Sequence, residues 1–216
     1  MIEIQFFVKR IFDIFVSLFS ILLLLPLFLL ISLAVKLTSP GPIFFRQTRV
    51  GRFNSEFEIL KFRTMKVDSH LVPDGLAVRE NDDRITKIGH FLRKTSLDEI
   101  PQFINVLKGD ISIVGPRPGL PEQLKYFNEQ QKKRTLVRPG ITGLATVNGR
   151  ASIPWSKRIE YDLLYIDTFS LLLDVKILLK TVYVVLAGQG TYYDHSKGPA
   201  FDLAEPDNLP QAKPKK

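Results

Sequence analysis

Two adjacent carboxylates, Asp98 and Glu99, stand in the run Ser96-Leu97-Asp98-Glu99-Ile100-Pro101, close behind Lys87, Arg93 and Lys94. An ionised carboxylate beside cations can act as a nucleophile, as a base or as a magnesium ligand. The same residues have a plainer use. Ser96 and Glu99 have capping-box spacing, acidic groups in a first turn complement the helix dipole, and Pro101 stands where a helix has no amide bond to lose. Residue types and spacing leave both readings open. A second cluster, Gly115-Pro116-Arg117-Pro118-Gly119, brackets one arginine with two prolines. Fixed backbone on either side aims a guanidinium whose fork suits a phosphate; the alternative is a rigid loop with a solvated arginine. A third cluster, Arg138-Pro139-Gly140-Ile141-Thr142-Gly143, continues to Asn148-Gly149-Arg150. Its glycines let backbone amides approach an anion, yet it matches neither the Walker pattern nor the dinucleotide fingerprint. Asp82-Asp83 could hold a metal ion, although in a polar stretch a solvated pair is the simpler reading.

Composition narrows the chemistry further. With no cysteine in 216 residues, disulfide scaffolds, thiolate zinc sites, iron–sulfur clusters and thiol nucleophiles are excluded. His70, His90 and His195 are too scattered to form a metal motif. Lys and Arg number 30 against 22 Asp and Glu, a formal charge of +8, which fits a surface that handles phosphates or faces anionic lipid.

The elements that must position these groups divide the chain into 1–38, 39–190 and 191–216. From Ile14 to Val35 there is no charged residue, a run long enough for a membrane helix. Pro26 falls near its middle, and both flanks are basic: Lys9 and Arg10 before, Lys36, Arg46, Arg49 and Arg52 after. A proline break and cations at both ends predict a re-entrant helix-break-helix hairpin with both termini in the cytoplasm. The alternative is a single-pass anchor that tolerates its proline; a cleaved signal peptide fits poorly, since the apolar run is too long. Ile43–Val50 and Glu56–Met65, separated by Gly51–Ser55, read as a β-hairpin whose second strand turns Phe57, Ile59, Lys61 and Arg63 to one face. Residues 66–84 read as a mobile surface loop. Helices are expected over 85–94, from Ser96 to a C-cap at Gly109, over 120–137, over 159–166 and over 170–186, with 138–150 irregular and a disordered tail. The fold class is thus mainly α with a small β-hairpin, an α+β domain.

Five stretches in register carry a resemblance: Lys61-Phe62-Arg63-Thr64-Met65, Ser96–Gln102, Asn105–Asp110, Val114-Gly115-Pro116-Arg117-Pro118 and Val137–Gly143. Together they resemble the bacterial sugar transferases, and more closely the small monotopic polyprenyl-phosphate phosphoglycosyl transferases, from about Lys9 to about Leu186. The resemblance implies transfer of a sugar 1-phosphate, of N-acetylated hexosamine type, from a UDP-sugar to undecaprenyl phosphate with release of UMP. That is the first membrane step of bacterial glycan or exopolysaccharide assembly, at the cytoplasmic face of the inner membrane. It implies Asp98 as nucleophile and ligand of a Mg²⁺ cofactor, with Glu99 assisting the metal or the lipid phosphate. Lys61, Arg63, Arg93, Arg117 and Arg150, with Pro116 and Pro118 fixing the loop, are the expected phosphate contacts; Asp162 also falls at a family position. Expected partners are the two substrates, membrane lipids and downstream glycosyltransferases, with no nucleic acid; a homodimer is left open. The chain departs from the pattern at Leu25, where serine often precedes the membrane proline, and at Leu144-Ala145-Thr146, where Trp-Ala-Gln is usual. Two other readings compete: a membrane-tethered basic scaffold that binds anionic lipids, for which Asp98 is dispensable, and a metal-dependent glycosyltransferase on Asp82-Asp83, which would release UDP.

Overall fold

The computed structural model describes residues 2–67, 82–188, 190 and 201–203. An apolar segment without water must bond its amides internally, and the N-terminal run does so as one helix, α1 (Ile2–Thr38). The expected helix-break-helix does not appear as two elements: Pro26 lies inside a helix that continues on both sides. A proline deletes one backbone bond, and the unbroken leucine-rich turns around it retain theirs. The helix is long and apolar enough to cross a membrane by length and composition. Yet both its halves are fastened to the same domain. Near its start Lys9 Nζ donates to Asp174 Oδ2 at 2.6 Å, and Asp13 accepts from Ser112 Oγ (2.7 Å) and the Ile113 amide (3.1 Å). Arg10 donates to the carbonyls of Val106 (2.7 Å) and Leu107 (3.0 Å). Near its end Ile31 and Val35 are buried with Phe62, Leu92 and Ile100, and Leu24, Leu27 and Phe28 pack against that cluster.

The chain turns at Ser39–Pro42 into strands β1 (Phe44–Val50) and β2 (Glu56–Phe62), paired antiparallel as the alternation predicts. The second strand ends three residues earlier than expected. Arg63 therefore leaves the Lys61 face and donates to Ser39 O and Ser39 Oγ, both at 2.8 Å, and to Pro40 O, closing the turn after α1. Of the expected loop 66–84 only the ends are described. They are pinched together by Lys66 N to Arg84 O at 2.9 Å and a Met65–Ile85 bridge.

Thr86 caps α2 (Lys87–Thr95) by accepting from the Gly89 amide at 3.0 Å. Gly89 permits this packing, since a Cβ there would lie 2.1 Å from the Thr64 carbonyl. The single helix expected from Ser96 is two pieces: a 3₁₀ turn, Leu97–Glu99, and α3 (Gln102–Lys108), which ends at Gly109 (φ +94°) as expected. Then come β3 (Ser112–Val114), a 3₁₀ turn over Pro121–Tyr126, α4 (Glu129–Lys132), a further 3₁₀ turn over Lys133–Thr135, β4 (Gly140–Thr142) and α5 (Leu144–Val147). The continuous helix expected over 120–137 is broken because Phe127 turns inward, 3% exposed, and Asn128 restarts the chain as a new cap. The stretch expected to be irregular holds β4, which pairs in parallel with β3.

Two longer helices close the domain, α6 (Trp155–Asp167) and α7 (Leu171–Leu186), the latter capped by Ser170. Tyr165 of α6, Ile177 of α7, Val106 of α3 and Ile111, Ile113 and Val114 around β3 form the main core. Most of the tail lies outside the described residues, but Phe201 and Asp202 are docked. Phe201 meets Tyr126 and Trp155 edge-on at ring distances of 5.1 and 5.9 Å. Asp202 accepts from the Ser156 amide at 2.8 Å and from Ser156 Oγ, capping α6 from a distance.

Candidate active site

The left-handed turn at Ser96 (φ +59°) separates α2 from the 3₁₀ turn and sets Asp98 and Glu99 beside β2. The capping-box geometry is not formed: Ser96 makes no side-chain cap. Instead Ser96 Oγ accepts from Arg150 Nη2 at 2.6 Å, while Glu99 Oε1 accepts from Lys61 Nζ and from Arg117 Nη2, each at 2.7 Å. Charge-assisted bonds to two cations are worth more to a carboxylate than a backbone amide at a helix start.

The two neighbours are therefore electrostatically unlike. Burial opposes the charge on Glu99, but Arg117 and Lys61 outweigh it and hold its carboxyl well below the usual range. Burial pushes the Asp98 carboxyl up, reinforced by the Glu99 charge and countered by Lys61, Arg93 and Arg117. No hydrogen bond is made to the Asp98 side chain among the described residues. One carboxylate is clamped; the other is held close by and unbonded.

Arg117 is aimed by its loop as the two prolines predict, and the loop is also held through three successive carbonyls. Pro116 O accepts from the Gly140 amide (2.9 Å), Arg117 O from Arg134 Nη2 (2.8 Å) and Pro118 O from Arg49 Nη1 (3.4 Å). Arg134 is itself pinned by Asp162 Oδ2 at 2.5 Å, with its guanidinium 5.3 Å from the Phe127 ring and 5.4 Å from Trp155. Asp162 is thus spent on Arg134, and reaches the site only through the backbone of Arg117. Arg150, at φ +54°, lines the cleft beside Glu99, and its buried Nη1 has no partner. Arg93 donates from Nε to Thr64 Oγ1 at 2.8 Å and acts on Asp98 through its charge. The structure brings Lys61, Arg93, Asp98, Glu99, Pro116, Arg117, Pro118 and Arg150 together. It sets Arg63 at the turn after α1, and Pro26 lies within α1, away from this group. Asp82 of the competing acidic pair is taken by Arg84 through Nε (2.8 Å) and Nη2 (2.6 Å).

A family model described as bacterial sugar transferase matches residues 4–188. The chain belongs to that family. It is 42% identical over 186 residues to the uncharacterized sugar transferase EpsL of Bacillus subtilis, covering 84% of this chain and 89% of that protein. It is 45% identical over 194 residues to the UDP-glucose:undecaprenyl-phosphate glucose-1-phosphate transferase of Escherichia coli, with 85% of this chain and 41% of that one aligned. A third relative is the UDP-N-acetylgalactosamine-undecaprenyl-phosphate N-acetylgalactosaminephosphotransferase of Aeromonas hydrophila, 43% identical over 193 residues, 85% of this chain and 45% of that one. The chain therefore spans less than half the length of these two named enzymes. Within this bacterial sugar transferase, sequence reasoning missed Arg134, Arg49 and the Lys9–Asp174 pair. In the sequence Arg49 shows only as a flanking charge; burial, and then the neighbouring Arg117 charge, lower its pKa to about 10.

Proposed function

We propose that the protein moves a sugar 1-phosphate from a UDP-sugar to a polyprenyl phosphate, releasing UMP, through a phosphosugar held on Asp98. The observation that carries this reading is the asymmetry of the carboxylates: Glu99 clamped by Lys61 and Arg117, Asp98 unbonded and made more basic by burial. An Asp98 oxygen attacks the sugar-proximal phosphorus, and the bond to the UMP oxygen breaks with its electron pair leaving on UMP. An oxygen of the lipid phosphate then attacks the same phosphorus and expels Asp98 as a free carboxylate. Two steps spare two anionic substrates from meeting in one site. Arg117, held by its backbone, and Arg150, with its unpartnered Nη1, receive the phosphates; Lys61 fixes Glu99 so that its charge stays in place.

The donor set suits a Mg²⁺ ion bound through one carboxylate and the donor's phosphates, since such ions keep several waters. Asp98 is the residue free to hold it. The described residues contain no group of three Asp, Glu or His that could cage a metal alone. When bound, the ion offsets charge developing on the phosphoryl oxygens. Chelation is expected to abolish turnover and Mg²⁺ to restore it.

Membrane attachment is read as monotopic and re-entrant at the cytoplasmic face. Support comes from the two ends of α1, which are both bonded to or buried in the same domain, so a straight crossing would separate contacts that hold together. The sugar is read as an N-acetylated hexosamine, and a panel of UDP-sugars with and without the acetamido group decides it. For the mechanism, the protein is incubated with a UDP-sugar and Mg²⁺ but no lipid phosphate. UMP up to one equivalent and a phosphosugar mass on the Asp98 peptide are expected, and neither from Asp98→Asn. UMP appearing only with the lipid present, with no adduct, would make Asp98 a ligand or a structural group.

A further inference from the structure

A cleft of about 130 Å³ lies against Glu99 and meets the carboxylate pair only through that side chain. Its charged lining is the group already described, Glu99, Arg117 and Arg150; Ser96 and three threonines add hydroxyls, and the rest is aliphatic or aromatic, chiefly Ile100, Phe103, Val184 and Val185. Of the three threonines in the wall, Thr142 and Thr181 bond each other at 2.7 Å and Thr181 donates to Ile177 O at 2.8 Å, which leaves Thr146 as the one threonine hydroxyl not spent in these bonds. A sugar or a nucleobase placed against the aliphatic part of this wall would leave most of its polar groups unpaired, at a cost that hydrocarbon does not meet.

The helices that wall the cleft also point to hydrocarbon. Ile100 and Phe103 belong to the cluster that packs on α1 at Leu24, Leu27 and Phe28. Val184 and Val185 sit on α7 among Val182, Tyr183 and Leu186, which are exposed. The cleft thus lies between elements that carry the chain's exposed apolar surface, with phosphate-binding cations within its lining. We infer that it holds the first isoprene units of the lipid phosphate acceptor, phosphate at Arg117 and Arg150 and hydrocarbon between α3 and α7. This rests on the proposed transfer to a polyprenyl phosphate; it adds where the lipid lies and which residues select it. The donor sugar is left outside this apolar wall.

Val185, only partly buried, accepts a larger side chain that would fill the cleft. The full-length chain in detergent is assayed for UMP release against separate titrations of UDP-sugar and undecaprenyl phosphate. Val185→Trp is expected to raise the KM for the lipid at least tenfold, about 1.4 kcal/mol, while the KM for UDP-sugar moves less than twofold. A rise confined to the UDP-sugar KM would assign the cleft to the donor, and no change in either would leave it without a ligand; both overturn the proposal. A farnesyl phosphate with a diazirine on its first isoprene provides a test on the unaltered protein. Labelling of the Phe103 or Val184–Val185 peptides is expected, and labelling confined to other segments overturns the assignment. Failure of the transfer reading looks different: the wild-type protein then releases no UMP with any donor and lipid phosphate.

Discussion

Arg134 and Asp162 form the most enclosed ion pair found among the described residues, with side chains 4% and 2% exposed and 2.5 Å between them. Arg134→Met keeps the length and apolar stem of the side chain and removes its charge. Water cannot enter to screen the Asp162 carboxylate, so breaking the pair costs about 3–5 kcal/mol. The Arg117 carbonyl also loses its 2.8 Å donor, a further cost of about 1 kcal/mol. For a chain of this size each kcal/mol lowers the melting temperature by roughly 2–4 °C, so a fall on the order of 10 °C is expected in detergent-solubilised protein. Asp162→Leu should cost a similar amount by stranding the arginine. The double variant should recover most of the stability, because no uncompensated charge remains buried. Activity should not recover with it, since the Arg117 loop still lacks its donor. Thermal unfolding and steady-state turnover on the four proteins complete the cycle. Additive losses, with the double variant as unstable as the two singles summed, would refute the coupling; full activity in the stable double variant would refute the link to Arg117.

Three other outcomes follow from the same contacts. With no native cysteine, Glu3→Cys and Pro40→Cys give clean single labels; both should react with impermeant reagent only from the cytoplasmic side, and opposite-side labelling of either refutes the re-entrant reading. Asp98 must be ionised to attack and its carboxyl lies above the ordinary range, so kcat/KM should fall as pH drops through that raised value; Lys61→Met, which removes a cation that pulls it down, should move this acid limb to higher pH, and a shift the other way would contradict the assignment. Arg117→Lys should lower turnover at least tenfold with little change in melting temperature, because an ammonium cannot both hold Glu99 and present a second planar donor; wild-type rates would return Arg117 to loop structure.

What the sequence disclosed was local. The hairpin, the helix over 170–186 and the stop at Gly109 follow from alternation, periodicity and turn residues acting within a few positions. What it hid was decided at a distance. Ser96 and Glu99 have the spacing of a cap, but the contacts that win come from Arg150, Lys61 and Arg117, 54, 38 and 18 positions away. The pair of Lys9 and Asp174, 165 positions apart, leaves no periodic trace; Lys9 was legible only as a flanking charge that orients a membrane segment. Arg63 was misplaced by strand length alone, since ending β2 at Phe62 turns the next side chain away from the site. The parallel pairing of β3 and β4 involves three-residue strands, too short for any pattern to show.

The proposed transfer gives Asp98 and Glu99 different work. Lys61, Arg93, Arg117 and Arg150 act on the two carboxylates, so the local balance is positive and suits a diphosphate donor. Without Glu99, Lys61 and Arg117 would be free to pair with Asp98 and to hold its carboxyl low, stable but a poor nucleophile. Glu99 takes both cations on one oxygen and leaves Asp98 charged by proximity yet unbonded. In the proposed transfer, environments that drive neighbouring carboxyls in opposite directions suit different roles: the depressed group as fixed counter-charge, the raised one as nucleophile. The positioning is then backbone work. For Arg117 to serve Glu99 and, in the proposed transfer, a phosphate, its loop must not swing; Arg134, paired with Asp162, and the Gly140 amide hold the loop's carbonyls.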